Sequence, residues 1–363
     1  MAQEKSGVES PVALQRFALF TLLFLLGYLG WLGRPRAAVV VMAPVTFRRL
    51  AGGAGSEEDE RALAAAVARA CGVATDPAVD ANPFLAWGNF LPGREQELAL
   101  AARVTSTSGL LALLAPREES WRIAAWLGPD VLGVPTSLLP LTLPGRRTTA
   151  LALTDLADQM SGAFTRRETC AIFLADGVWR RVWTRVIESE SFWNRTWDRP
   201  PGQGWVRLVG EAQWKPVVKG RELFLEVSYR NARAVAAAEP GGRLPEAGRF
   251  AAAEQRSGRE RYRWDPALGA FVLGYGRIKE AAFLARDRRA AGSPEASEAR
   301  LPAGLSLAIL GDDAGDPGVL VGLPRLLRVR AAGKEGFLPA GVVERLSERP
   351  RDLRDTGAWL LPR

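Results

Sequence analysis

The sequence predicts a mainly β protein with one N-terminal transmembrane helix. Three observations predict it. Phe17 to Gly33 reads FALFTLLFLLGYLGWLG, without a charge. From about Asn82 onward, short alternating or continuous apolar runs are split by Gly, Pro and Asp, which is the texture of strands joined by turns. Between these two parts, Glu58 to Ala70 (EDERALAAAVARA) places apolar residues at helical spacing.

The uncharged run spans about 25 Å as a helix at ~1.5 Å per residue, slightly short of a ~30 Å hydrocarbon core. Extending it back to Val12, with Arg16 reaching toward the headgroups, gives a span over 12–33. Tyr28 and Trp31 stand near its far end, where amphipathic aromatics favour the interface, and Arg34-Pro35-Arg36 stops it. A cleaved signal peptide wants a shorter apolar core and a small-residue cleavage site, and RPRAAVVV is a poor one. A lipoprotein needs a Cys directly after the run, and a segment apolar all round suits a membrane span better than a core helix. Lys5 and Arg16 precede the span while Arg34, Arg36, Arg48 and Arg49 follow it. Charge counting therefore favours a cytoplasmic C-terminal part, although large domains cross despite such charges.

The chain has 363 residues, enough for two or three domains, and 37 Gly and 24 Pro imply many turns. Its net charge of +8 is carried almost wholly by Arg, scattered and interleaved with Glu and Asp. Nucleic-acid binding concentrates basic residues on one face, so no nucleic-acid partner is expected. The absence of His excludes Ser-His-Asp and Cys-His catalysis and His-ligated zinc. Cys71 and Cys170 stand in no metal-ligand spacing. They read as two buried thiols, or as a disulfide if the domain lies outside the cytoplasm.

Residues 1–11 read as a tail and 34–81 as a spacer containing the short helix. Residues 82–285 form a β-repeat domain with a flexible Ala/Gly/Arg/Glu insert at 231–260. Residues 286–302 read as a linker, 303–346 as a small β unit, and 347–363 as an Arg-rich tail. The repeat is irregular: a Gly or Asp turn, a strand entered at Glu97, Glu168 or Glu222, then a strand carrying an aromatic.

The pieces GNFLPGREQELALA, LTDLADQ…RRETCAIFL and YRWDPALGAFV resemble degenerate FG-GAP/VCBS-type repeats, the blades of integrin-like β-propellers. The resemblance implies a propeller-like β-repeat domain, an extracytoplasmic body and, in some members, calcium at the Asp turn. No copy here shows a D-x-D-x-D-G run. RVRAAGKEGFLPAGVV (Arg328 to Val343) is similar to the end of a bacterial SH3-like domain. That implies a small SH3-like β-barrel over 303–346, a type that binds wall peptides or serves as a spacer.

Asp312, Asp313 and Asp316 share one Gly-rich loop, and Asp155 and Asp158 lie near a turn. Both groups suit solvated turns and offer part of the oxygen shell of calcium. Seven aromatics fall between Trp179 and Trp214. They suit a core, or an exposed platform for a sugar or peptide in which Trp193, Trp197 and Trp205 stack and Asn194 hydrogen-bonds. Glu188 and Glu190 are a close carboxylate pair, but glycosidase acids face each other from separate elements. The expectation is a non-enzymatic, single-pass cell-envelope protein. Its β domain faces away from the cytoplasm and binds a protein or a wall glycan. A cytoplasm-facing membrane scaffold and a membrane-tethered carboxylate hydrolase are the alternatives.

Overall fold

The computed structural model describes residues 39–353 apart from 41–45, 47–48, 51, 80–81, 94–95, 118–119, 144–145, 162, 177, 198–201, 240–241, 287–296, 314–315 and 322–323. The expected membrane span 12–33 lies outside the described residues. Among those described, no helix is long and apolar enough to cross a membrane. The described chain is mainly β, in three antiparallel sheets with one α-helix.

The first sheet contains β1 (Val39–Val40), β2 (Phe84–Gly88), β3 (Glu97–Arg103), β4 (Gly109–Arg117) and β5 (Ser120–Leu127), in the order β1-β5-β4-β3-β2. Helix α1 (Glu57–Ala70) starts at a reciprocal cap, in which Asp59 N–H donates to Ser56 Oγ and Ser56 N–H to Asp59 Oδ2. It lays Leu63, Ala64, Val67 and Ala68 on Leu98, Leu100, Leu110, Leu114 and Trp121 of this sheet. The opposite face, with Ala99, Ala101, Leu111 and Leu113, packs on the second sheet. Covered on both faces, β3 and β4 are continuous apolar runs instead of alternating ones. Burying each Leu contributes about 1.5–3 kcal/mol.

The Glu97 side chain supports this packing. Its carboxylate, buried at the entry to β3, accepts from the N–H groups of Phe90 (2.7 Å) and Leu91 (3.3 Å). The turn GNFLPG is thereby folded back on the strand it precedes, and Phe90 is driven into the core between the first two sheets.

The second sheet is an eight-stranded meander in chain order: β6 (Val134–Thr142), β7 (Thr149–Ser161), β8 (Ala163–Ala175), β9 (Trp179–Asn194), β10 (Trp205–Lys219), β11 (Glu222–Ala236), β12 (Ala251–Asp265) and β13 (Ala270–Val272). It curls on itself. Ala150 and Ala152 of β7 share one core cluster with Tyr262 of β12 and Phe271 of β13. Trp183 on β9 meets the rings of Trp214 (5.5 Å) and Tyr262 (5.9 Å) inside the curl.

Of residues 231–260, expected as a flexible insert, 231–236 and 251–260 instead belong to β11 and β12, paired as far as Val235 with Ala251. Backbone hydrogen bonds build this ribbon, and both its strands carry the polar, Ala-rich sequence of a linker because solvent bathes them. Composition therefore misled.

The third sheet contains β14 (Gly274–Ile278), β15 (Ala282–Ala285), β16 (Ser297–Leu301), β17 (Ser306–Asp312), β18 (Leu326–Ala331), β19 (Lys334–Pro339) and β20 (Val343–Leu346), ordered β16-β15-β19-β18-β17-β14-β20. Its unit begins at Gly274. The boundary expected at 286–302 falls inside it, since Ala282 pairs with Leu301 across that stretch. Leu273, between β13 and β14, donates its N–H to Ile309 O, which ties the second sheet to the third. The tail read as beginning at 347 is anchored in its described part: Ser306 Oγ donates to the Asp352 carboxylate, and Leu353 packs beside Leu268 and Tyr275.

Replacing Glu97 by Ala leaves two backbone donors without their carboxylate. The expected cost is about 1.5–3 kcal/mol, read as a lower urea midpoint. Glu97→Gln, which keeps an acceptor oxygen, is expected to lose less.

Candidate functional site

A cleft of about 240 Å³ opens where β8, β9 and β10 of the second sheet face β17, β18 and β19 of the third. Arg167, Arg185, Ser189, Glu211 and Tyr262 line one wall, and Asp313, Asp316, Pro317, Arg328 and Phe337 the other.

Arg185 projects from β9 into the junction. Its side chain is only 10% exposed, and Nη1 lies 3.1 Å from Glu260 Oε2, itself 7% exposed. Nη1 also donates to the carbonyl of Asp312 on β17 (3.2 Å). Tyr262 OH donates to the same Glu260 oxygen at 2.7 Å, because positions two apart on β12 share a face. Burial pushes the Glu260 carboxyl up, and the neighbouring Arg185 only partly reverses this. Burial, then the Glu260 charge, raises the Tyr262 phenol well above its ordinary value. Arg185 Nη2, Ser189 Oγ and Glu260 Oε1 are buried here without a hydrogen-bond partner.

Ser189, Gly210 and Asn231 stand in register across β9, β10 and β11. Gly210 has no side chain, and Pro317 fills the space: a Cβ there would lie 2.8 Å from Ser189 Oγ and 3.0 Å from Pro317 Cδ. The short helical turn Pro317–Val321 thus seats on the second sheet and closes one end of the cleft.

The expected calcium loop has another role. Asp312 is buried, and its carboxylate is taken by two guanidinia, with Arg325 Nε donating to Oδ1 at 2.7 Å and Arg345 binding Oδ2. Asp316 Oδ1 accepts from Gly318 N–H (2.8 Å) in an ordinary Asx turn. Asp155 accepts from Gly133 N–H (2.8 Å), while Asp158, three residues on along β7, is exposed opposite Arg166. Odd spacing on a strand separates these two carboxylates onto opposite faces. Among the described residues no three His, Cys, Asp or Glu side chains are grouped to hold a metal ion.

The aromatic platform is not assembled. Trp193 pairs with Val206 and Trp205 with Asn194 in adjacent positions of β9 and β10, so the two Trp side chains point to opposite faces. Trp205 and Asn194 are buried, Asn194 accepting from Thr196 N–H, and Trp193 packs on Val206, Leu208 and Leu320. Trp197 ends the helical turn Arg195–Trp197. Glu190 is ion-paired with Arg207 at 2.6 Å, and Glu188 is exposed beside Glu168 and Glu211. Cys71 and Cys170 are unbonded and belong to separate cores. Burial pushes their thiols up to about 11 and about 12 respectively.

Sequence reasoning missed Arg185, Ser189, Glu260 and Tyr262. The one available signal was Glu and Tyr two apart in RERYRWD; nothing in the sequence points to their partner across three strands.

A second charged cluster borders the cleft. Arg328 Nε donates to Glu335 Oε1 (2.7 Å), and Arg330 Nη2 lies 3.2 Å from Oε2. Burial pushes the Glu335 carboxyl up, but Arg328 and Arg330 outweigh it and hold the group below its ordinary value.

Two outcomes follow for stability. Glu260→Ala leaves a buried guanidinium without its counter-charge and is expected to cost about 3–5 kcal/mol, with much of the loss recovered in the Glu260→Ala/Arg185→Met double variant. Chemical denaturation of both checks this. For Glu335, the unfolded chain binds the proton more readily than the folded one. Its contribution is therefore complete above the ordinary carboxylate range and is lost as pH falls through the lowered folded value. Urea midpoints of wild type are expected to drop more steeply on acidification than those of Glu335→Gln. Comparison of the chain with known protein families, with curated proteins and with solved structures gives no match.

Proposed function

We propose that this chain is a non-enzymatic, membrane-anchored cell-envelope protein whose β body holds a glycan strand of the wall in the cleft between the second and third sheets. The observation that carries the reading is the floor of that cleft. Arg185 Nη2 offers a donor and Ser189 Oγ a donor and acceptor, both without partners, in a space bordered by Tyr262 and Phe337. Sugars are recognised by such fixed polar groups beside apolar rings. The narrow cleft suits a chain of sugars better than the flat surface of a folded protein.

Membrane attachment rests on the uncharged Phe17–Gly33 run. The FG-GAP-type likeness is supported by Glu97 and Glu222, which open β3 and β11 directly after turns. The SH3-like reading of 303–346 is supported by β18, a tight turn at Ala332-Gly333 with positive φ at both residues, and Gly336-Phe337-Leu338-Pro339 within β19. A second reading, a cytoplasm-facing scaffold, is favoured by Arg34, Arg36, Arg48 and Arg49 after the span.

Gly311 lines the cleft, and the nearest atom to a Cβ placed there is Arg328 Cβ at 3.8 Å. Gly311→Trp therefore plugs the cleft from an open position. The full chain in detergent is expected to co-sediment with isolated wall polysaccharide, and Gly311→Trp to lose at least tenfold in affinity. Undiminished binding by that variant, or binding to wall protein alone, overturns the cleft. A reporter fused after Arg363 is expected to be active only outside the cytoplasm; activity only inside selects the scaffold.

A further inference from the structure

Strand β12 is long, and most of one of its edges is open. It pairs with β11 from Ala251 to Arg263 but with β13 only from Arg263 to Asp265. Among the described residues, no strand lies along the second edge of 251–262. Residues 251–257 are all exposed. Every second residue of such an edge turns its backbone N–H and C=O away from the sheet, which is a template for one more strand. No Pro or Lys blocks it in AAAEQRSGRE (251–260).

The side chains say which strand fits. In a symmetric antiparallel pair of two copies with Gln255 facing Gln255, Glu254 of each copy stands opposite Arg256 of the other. Moving the centre by one residue sets Arg256 against itself or Glu254 against itself, and like charges directly opposite are unfavourable. Both charged groups are available. Arg256 is exposed and has no ion-pair partner among the described residues. Glu254, with its side chain 46% exposed, meets Arg233 of β11 only through Oε2, at 3.5 Å. Its Oε1 is left for a second guanidinium.

We propose that this edge is a self-association surface, on which β12 of a second copy pairs antiparallel about Gln255 and the two second sheets become one. A two-fold interface of this kind uses the same patch on both copies. On β12, Ala253 is a bulge, since Arg233 pairs with Glu254 and Ala234 with Ala252. The regular ladder is therefore short, and the dimer is a weak, reversible one, with a dissociation constant on the order of 10–100 µM.

Sedimentation of the full chain in detergent, from about 5 to about 300 µM, tests this. Wild type is expected to pass from monomer to dimer over that range. Glu254→Arg and Arg256→Glu are each expected to weaken the dimer at least tenfold, because each sets like charges opposite one another twice. An equimolar mixture of the two variants is expected to recover association, as is the double variant Glu254→Arg/Arg256→Glu. That recovery separates lost pairing from lost folding. Wild type that stays monomeric throughout, with the edge left to another segment or partner, overturns the proposal. So does a dimer untouched by both reversals, which then forms elsewhere on the chain, and so does failure of both the mixture and the double variant to recover.

Discussion

The buried pair of Arg185 and Glu260 is the interaction on which the relation of the second and third sheets depends. Removing either charge from water costs several kcal/mol, and only close pairing with further hydrogen bonds offsets that. The geometry supplies both: Glu260 accepts from Arg185 and Tyr262, and Arg185 reaches on to the Asp312 carbonyl. The carbonyl belongs to β17 and the other groups to β9 and β12. One guanidinium therefore joins two sheets. The same constraint explains Asp312, whose carboxylate is buried at the end of β17 and satisfied by Arg325 and Arg345.

Around this polar junction the apolar packing is layered. The first sheet is a middle layer, with α1 on one face and the second sheet on the other. The second sheet curls over its own core of Trp183, Tyr262 and Phe271 before the chain passes into the third. Among the described residues, buried charge in the N-terminal layers is limited to Asp59 at the cap of α1 and Glu97 at the entry to β3, and more of it gathers where the C-terminal sheets meet. The two cavities at this junction, the cleft and a smaller one beside Arg181, are lined by four Arg and five carboxylate residues, so their walls carry both signs of charge.

Much of the local structure was legible. Glu58 to Ala70 was read as a helix, and α1 spans Glu57–Ala70. The apolar runs LALAARV, LLALLA and SWRIAAWL lie in strands β3, β4 and β5. Of the dense aromatics, Trp179 and Trp183 are core. The failures share one cause. The ribbon of β11 and β12 looks like a linker because its strands are held by backbone hydrogen bonds, which composition does not encode. Asp312 looks like a calcium ligand because its partners, Arg325 and Arg345, are distant in sequence. Trp193 and Trp205 look like a platform until the pairing of β9 with β10 sets which side each faces.

By itself the sequence determined the β class, the turns, the helix and the absence of imidazole chemistry, because propensity, periodicity and composition act over a few residues. It also places an uncharged run before the β body. Only the tertiary structure decided which strands share a sheet, which carboxylates are consumed by ion pairs, and which buried donors are left without partners. Those outcomes depend on register and burial across long separations, as when Arg185 meets Glu260 and Asp312. A pairing of that kind has no local signature, since its stabilisation appears only once both partners have left water.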